Sequence, residues 1–389
     1  MTPRYSRRLD GLRSSAIREI LRVTSRPDVI SFAGGLPAPE LFPCQLLADL
    51  TRAVLEEEGP RALQYSETEG HPGLRARIAA GVPFPPGTFA PDDVLITQGS
   101  QQGLDLVAKL FLDEGDEVLV ETPAYLGALQ AFRFFGAKVT FLPGDADGIL
   151  PDALAAALRR RPKLLYLTPT FQNPSGLCVP ERRRAELRAA LADSDVLLVE
   201  DDPYRELWYD APPPAAVSLG LPRERFVYFG SFSKTAVPGL RVGFLAGEEA
   251  LVRRFVLAKQ ATDLQTNTLG QHLVFRLLGH PSFPAHLDRL RRTYRARRDA
   301  LCAALSERLG GALSFDRPAG GMFVWARLSG GVDAAALLER ALAEGLAFVP
   351  GGEFHADGEG RDTLRLNFSN SDEARLREGV ERLARALAR

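Results

Sequence analysis

Six short, nearly all-apolar runs, each handing over to a cluster of polar residues, narrow the choice of fold most for this chain of 389 residues. They are Val94-Leu95-Ile96-Thr97, Glu117-Val118-Leu119-Val120, Leu164-Leu165-Tyr166-Leu167, Val196-Leu197-Leu198-Val199, Phe226-Val227-Tyr228-Phe229 and Val242-Gly243-Phe244-Leu245-Ala246. A strand covered on both faces has no polar side, so it reads as a continuous apolar run rather than an alternation. Longer helical patterns separate the runs, which predicts an α/β fold with a mostly parallel sheet covered by helices. The polar clusters are Gly99-Ser100-Gln101-Gln102, Thr122-Pro123-Ala124-Tyr125, Asn173-Pro174, Asp201-Asp202-Pro203-Tyr204 and Ser231-Phe232-Ser233-Lys234. In open sheets of this kind ligands bind beyond the carboxyl ends of the strands, where these clusters fall.

Beyond about residue 285 the character changes. An Arg-rich helical stretch, 285–309, leads to Gly320-Gly321-Met322-Phe323-Val324-Trp325, a helix, two further short apolar runs and a terminal amphipathic helix. That pattern predicts a second, smaller α+β domain. No repeat or low-complexity tail is present.

The totals exclude several classes. A formal net charge of −1 gives no electrostatic case for nucleic acid or an anionic membrane surface. Three separated cysteines, Cys44, Cys178 and Cys302, argue against a disulfide framework or a zinc site and for a reducing compartment. No apolar run approaches the roughly 20 residues needed to span a bilayer, and residues 1–15 lack the apolar core of a signal peptide. A cytoplasmic protein is expected. No P-loop, GxGxxG, HExxH or GxSxG signature appears, and the five histidines form no ligand spacing.

Of 48 basic residues only five are lysine. A chain so biased to arginine has little reason to place lysine where charge alone would serve. Lys234 is therefore a candidate for losing its proton and acting as an amine nucleophile, although a loop lysine is commonly a surface residue. Ser231, Ser233 and Arg241 around it suit a phosphate. Ser100 either caps the helix it opens or helps to seat that phosphate. Tyr125 is either a half-buried loop tyrosine or a ring stacked on a planar cofactor. The turn chemistry of Asn173-Pro174 does not itself demand an asparagine, whose amide could donate to a phenolate. Glu200-Asp201-Asp202 directly after an apolar strand is costly unless solvated or paired. The alternative is that Asp201 holds a pyridine nitrogen protonated, with Tyr204 nearby. Arg365, inside an apolar stretch, either forms an internal salt bridge or grips a substrate carboxylate.

Taken together, Ser-x-Ser-Lys with Pro238-Gly239-Leu240-Arg241, Asp201-x-x-Tyr204 and Asn173-Pro174-x-Gly176 resemble the class I aminotransferases among fold type I pyridoxal-phosphate enzymes. Three further stretches, Ser31-Phe32-Ala33-Gly34-Gly35-Leu36-Pro37, 63–70 and 200–204, resemble their 2-aminoadipate/kynurenine branch. The resemblance implies pyridoxal 5′-phosphate as cofactor and ping-pong transfer between an L-amino acid and a 2-oxo acid. The expected pair is 2-aminoadipate and 2-oxoglutarate. Aromatic, kynurenine or branched-chain substrates, a lyase, or a cofactor-bound sensor domain are the alternatives.

Roles follow by resemblance. Lys234 would bind the cofactor and move the proton, Asp201 would pair with the ring nitrogen, and Tyr204 and Asn173 would bond its phenolic oxygen. Tyr125 would stack on the ring. Ser100, Gln101, Ser231, Ser233 and Arg241 would hold the phosphate, with Tyr65 reaching over from the other subunit of a homodimer with shared sites. Arg365, Asn173 and the Gly35 backbone would bind the substrate α-carboxylate. Residues 1–40 would join the small domain and form a substrate lid, with 41–285 the large cofactor-binding domain and 286–389 the small domain. Residues 11–21 read as a capped amphipathic helix, where Ser15 and Arg18 match positions that face a distal carboxylate. A solvated arginine is the alternative for Arg18. Some transcription regulators carry a similar domain behind a winged helix; motifs beginning by residue 31 leave the expectation of none here.

Overall fold

The computed structural model describes residues 4–9, 28–81, 89–356 and 358–389. Its larger sheet contains Val94–Thr97 (β1), Glu117–Val120 (β2), Lys138–Phe141 (β3), Leu164–Leu167 (β4), Leu197–Asp201 (β5), Phe226–Ser231 (β6) and Gly243–Ala246 (β7). The spatial order is β1-β7-β6-β5-β4-β2-β3, parallel except for β7, which runs against both of its neighbours. All six apolar runs of the sequence are strands of this sheet. The seventh, β3, escaped that reading because it is an edge strand with an exposed lysine at its start and half-buried residues after it.

Side chains of one strand alternate between two cores, one on each face. Leu165, Leu167, Leu198 and Tyr228 enter one, whereas Leu164, Tyr166, Val199 and Phe229 enter the other. This alternation resolves the three consecutive acids. Glu200 and Asp201 end β5 pointing to opposite faces, and Asp202 follows on the side of Glu200. Glu200 accepts from the backbone N–H groups of Val217 (3.0 Å) and Ser218 (2.7 Å). Asp202 accepts from the Tyr228 hydroxyl (2.7 Å) and Arg205 (3.1 Å). Only Asp201 goes to the other face. None of the three is a solvated loop residue.

The second sheet holds Leu313–Phe315 (β8), Phe323–Leu328 (β9), Val349–Pro350 (β10) and Thr363–Asn367 (β11) in the order β8-β9-β11-β10, all antiparallel. The helices Phe283–Leu309 and Glu373–Ala388 pack beside it. In the last helix Leu376, Val380 and Leu383 recur at spacings of four and three, which lays one apolar stripe on the core. The short strand Ile30–Ser31 pairs in parallel with Leu346–Ala347 and so ties the early chain to this second unit. Among the described residues no helix is long and apolar enough to cross a membrane.

Candidate active site

Because β1, β2, β4, β5 and β6 are parallel, their carboxyl ends share one edge of the sheet. There a cavity of about 280 Å³ opens against the second unit. Gly35, Ser100, Gln101, Tyr125, Asn173, Asp201, Tyr204, Ser231, Ser233, Lys234, Arg241 and Arg365 all line it. The fold thus gathers in one place twelve of the residues singled out in the sequence, drawn from both ends of the chain.

One wall is built for an anion. The helix Ser100–Phe111 has Gly99 at its N-cap and no side-chain capping bond, so Ser100 is the first helical residue rather than a cap. The first-turn N–H groups of such an end carry partial positive charge. Gly99 has φ +74°, and a Cβ there would stand 3.0 Å from the Arg241 guanidinium, which donates to the Gln98 carbonyl at 3.3 Å. A Cβ on Gly243 would meet Gly99 Cα at 2.8 Å, so two glycines permit the close approach of β7 to this turn. The Ser231 hydroxyl accepts from the Ser233 N–H at 3.2 Å, which curls the chain after β6 around the same spot.

Deeper in, Asp201 is 3% exposed. Its Oδ2 accepts from the Tyr166 hydroxyl at 2.9 Å, while Oδ1 is buried with no partner among the described residues. Burial pushes this carboxyl up to about 7, with the Tyr166 hydrogen bond opposing and the Asp202 charge adding to the rise. Lys234 donates to the Gly35 carbonyl at 2.9 Å and lies 6.0 Å from the Tyr204 ring centre. Burial, with Arg365 and Arg241 adding like charge, pulls its amine down to about 8. Tyr204 is buried edge-on to Phe323, and burial raises its phenol while a hydrogen bond with the Asn173 side chain opposes. Tyr125 sits half-buried at the start of the helix Leu126–Phe134, its phenol raised chiefly by burial and also by Asp201.

Arg365, on β11, is 2% exposed and has no carboxylate partner among the described residues, which removes the internal salt bridge. It donates to Asn173 Oδ1 (2.6 Å) and the Ala33 carbonyl (2.5 Å), between the rings of Phe323 (4.4 Å) and Phe354 (5.2 Å). Burial lowers it to about 10, yet it stays cationic near neutrality. A cation so desolvated and held only by neutral acceptors is set to take an anion. Asn173 spends its carbonyl on this guanidinium, a tie the sequence did not indicate.

Tyr65 lies elsewhere, 79% exposed, in the segment after the helix Cys44–Ala62. Ser15 and Arg18 lie outside the described residues. The cavity also contains Tyr166 and Thr168, which the sequence reading passed over. The available signal was a hydroxyl in the otherwise aliphatic run 164–167.

The residues fit pyridoxal 5′-phosphate. The helix end, Arg241 and two serines suit a phosphate, the unpartnered Asp201 oxygen suits a protonated ring nitrogen, and a weakly basic amine suits an aldehyde.

The comparisons agree with this chemistry. The family model "Aminotransferase class I and II" matches residues 28–383. The chain is 46% identical over 382 residues to the 2-aminoadipate transaminase of Thermus thermophilus, covering 97% of this chain and 94% of that protein. It is 38% identical to aromatic-amino-acid aminotransferase 1 of Thermococcus litoralis, covering 98% and 94%. Among solved structures, the alpha-aminoadipate aminotransferase of Thermus thermophilus, complexed with N-(5′-phosphopyridoxyl)-L-leucine, superposes with a TM-score of 0.91 at 44% identity, covering 99% and 97%. A cavity that suits the phosphate, ring nitrogen and aldehyde of the cofactor, within a chain matched over nearly its whole length, leads to one conclusion: this chain belongs to the class I and II aminotransferases and uses pyridoxal 5′-phosphate.

Proposed function

We propose that the protein transfers the amino group between 2-aminoadipate and 2-oxoglutarate by a ping-pong mechanism. The observation that carries the site reading is Arg365, a buried guanidinium without a carboxylate partner among the described residues, sharing one cavity with the weakly basic amine of Lys234. The choice of a dicarboxylic donor is supported by the name of the relative at 46% identity.

When bound, pyridoxal 5′-phosphate supplies the electron-withdrawing ring that makes the substrate α-proton labile. Arg365 grips the α-carboxylate, and Asn173 fixes the plane of its guanidinium. Lys234 would hold the cofactor through its amine and, once freed by the incoming substrate, would take up the proton from the substrate α-carbon and give it back. It works near neutrality because burial has already weakened its hold on a proton. Asp201 would hold the ring nitrogen's proton, Tyr204 and Asn173 would bond the phenolic oxygen, and Tyr125 would cover the ring. Ser100, Gln101, Ser231, Ser233 and Arg241 would hold the phosphate.

Tyr65 is assigned to the phosphate of a partner subunit in a homodimer. Its exposure, beside Leu63 (70% exposed) and Leu264 (56% exposed), supports a covered face there. The division into 1–40, 41–285 and 286–389 is supported by the pairing of Ile30–Ser31 with the second unit. An exposed free Cys44 supports the cytoplasm as the site of action.

The test is to add 2-aminoadipate, without acceptor, to the loaded protein and follow the visible absorbance. Bleaching is expected. Arg18→Ala should cut kcat/KM for 2-aminoadipate far more than for leucine, and Arg365→Met should raise KM for every amino acid by roughly 100-fold. Bleaching by leucine, phenylalanine or kynurenine alone would replace the dicarboxylate reading by the aromatic or branched-chain one. No bleaching with any amino acid would leave a lyase or a sensor.

A further inference from the structure

Asp201 and Asp202 are both buried, yet they are supported very differently. Asp202 Oδ2 accepts from the Tyr228 hydroxyl and Arg205, with Thr170 at 3.5 Å. Asp201 has one side-chain donor among the described residues, Tyr166. That donor stands on β4, and the register opposes Tyr166 to Val199, two residues before Asp201 and on the same face of the sheet. The diagonal reach is what brings hydroxyl to carboxylate.

The hydroxyl has its direction imposed from behind. Thr168 Oγ1 donates to the Tyr166 oxygen at 3.3 Å, so the tyrosine proton is left for Asp201 Oδ2. Burial raises the phenol well above its ordinary value, so the group remains a donor throughout the working range. The ring is fully buried and edge-on to Phe132 at 5.8 Å, which fixes where the hydroxyl sits. The Thr168 N–H donates to Glu121 at 2.7 Å, anchoring the relay to the end of β2.

We propose that Tyr166 is a positioning residue for the cofactor site: by occupying Oδ2 of Asp201 it favours the ionised carboxylate and fixes it in one rotamer, with Oδ1 reserved for the ring nitrogen. This rests on the cofactor reading above. The titratable groups that act on Asp201 are Asp202, next in the chain but turned to the other face, Tyr166 from β4, Tyr125 from the loop after β2 and Tyr204. Burial and Asp202 both favour the protonated acid, and the Tyr166 bond is what opposes them. A protonated Asp201 would lose the charge that attracts the ring nitrogen's proton. The effect is therefore on the charge of the site, not on packing alone.

The experiment uses Tyr166→Phe, which keeps the ring and removes the hydroxyl, together with Asp201→Ala and the double variant. The primary readout is the affinity of the apo protein for pyridoxal 5′-phosphate. The second is the pH dependence of the visible spectrum of the loaded protein. Unfolding midpoints serve to confirm that each variant is folded. Tyr166→Phe should bind the cofactor roughly 10-fold more weakly, the scale of losing a hydrogen bond to a charged group. Its spectral transition should move relative to wild type. In the Asp201→Ala background the same change should add nothing, because the two residues act as a unit. Wild-type affinity and spectrum in Tyr166→Phe, with Asp201→Ala impaired, would overturn the role of Tyr166 and leave the cofactor reading intact. An equal loss from Tyr166→Phe with and without Asp201 would overturn it as well, since a structural role is additive. Full affinity in Asp201→Ala would overturn the reading of the site itself.

Discussion

Lys234 is an amine held, among the described residues, by the Gly35 carbonyl, in a cavity that already contains two guanidinium groups. Burial first, then Arg365 and Arg241, lowers it from 10.5 to about 8. The sign of the resulting linkage is fixed. Between about pH 8 and 10.5 the unfolded chain holds the lysine proton and the folded chain does not, so this group makes stability rise with pH across that window. The unfolding free energy of the apo protein minus that of Lys234→Met should therefore climb between those pH values and stay flat above them. A flat difference throughout would mean that the amine is not desolvated. At this scale the sequence was informative about chemistry. A lysine in an arginine-rich chain, between Ser233 and Arg241, pointed to an amine that must deprotonate. It left Arg365 open, because its apolar neighbours fitted a salt bridge as well as a carboxylate grip. Only the lack of a nearby carboxylate among the described residues separated the two readings.

At the scale of elements, the site depends on where one helix begins. Gly99 has φ +74° and ψ 170°, a region open essentially to glycine alone, and it lets Arg241 lie against the turn. Gly99→Ala should destabilise the protein by about 1–3 kcal/mol. It should also weaken binding of pyridoxal 5′-phosphate, because the new methyl displaces the guanidinium. Thermal unfolding and cofactor titration check the two parts separately. Unchanged affinity with lowered stability would remove Arg241 from the phosphate site. The strand-to-helix turn was legible in Gly99-Ser100-Gln101-Gln102, since a glycine before a polar helix start is a local signal. Which residue served as the cap was not, because a serine at that point suits either place. The edge strand Lys138–Phe141 was missed for a related reason: half-exposed, it lacks the apolar run that marks its buried neighbours.

At the scale of the whole molecule, the exposed segment around Tyr65 is fastened to the chain near residue 265. The Ser66 N–H donates to the Gln265 side chain, and Thr268 donates to the Gln64 carbonyl at 3.3 Å. Leu63, Tyr65 and Leu264 are thereby exposed on a tethered surface rather than on a free tail. In a homodimer with shared sites, Lys234→Ala and Tyr65→Ala chains refolded together should regain roughly a quarter of wild-type activity, as random pairing leaves one intact site per hybrid. Activity no higher than that of the separate variants would place Tyr65 outside the partner's site. The sequence by itself determined six strands of the larger sheet, the polar clusters beyond them and the singling out of Lys234, because each is written in neighbouring residues. The tertiary structure alone decided that Tyr166 donates to Asp201, that Arg365 donates to Asn173 and that no acid among the described residues neutralises that guanidinium. Those pairings depend on strand register and on contacts across 192 positions of the chain. A strand buried on both faces has no alternation from which register can be read.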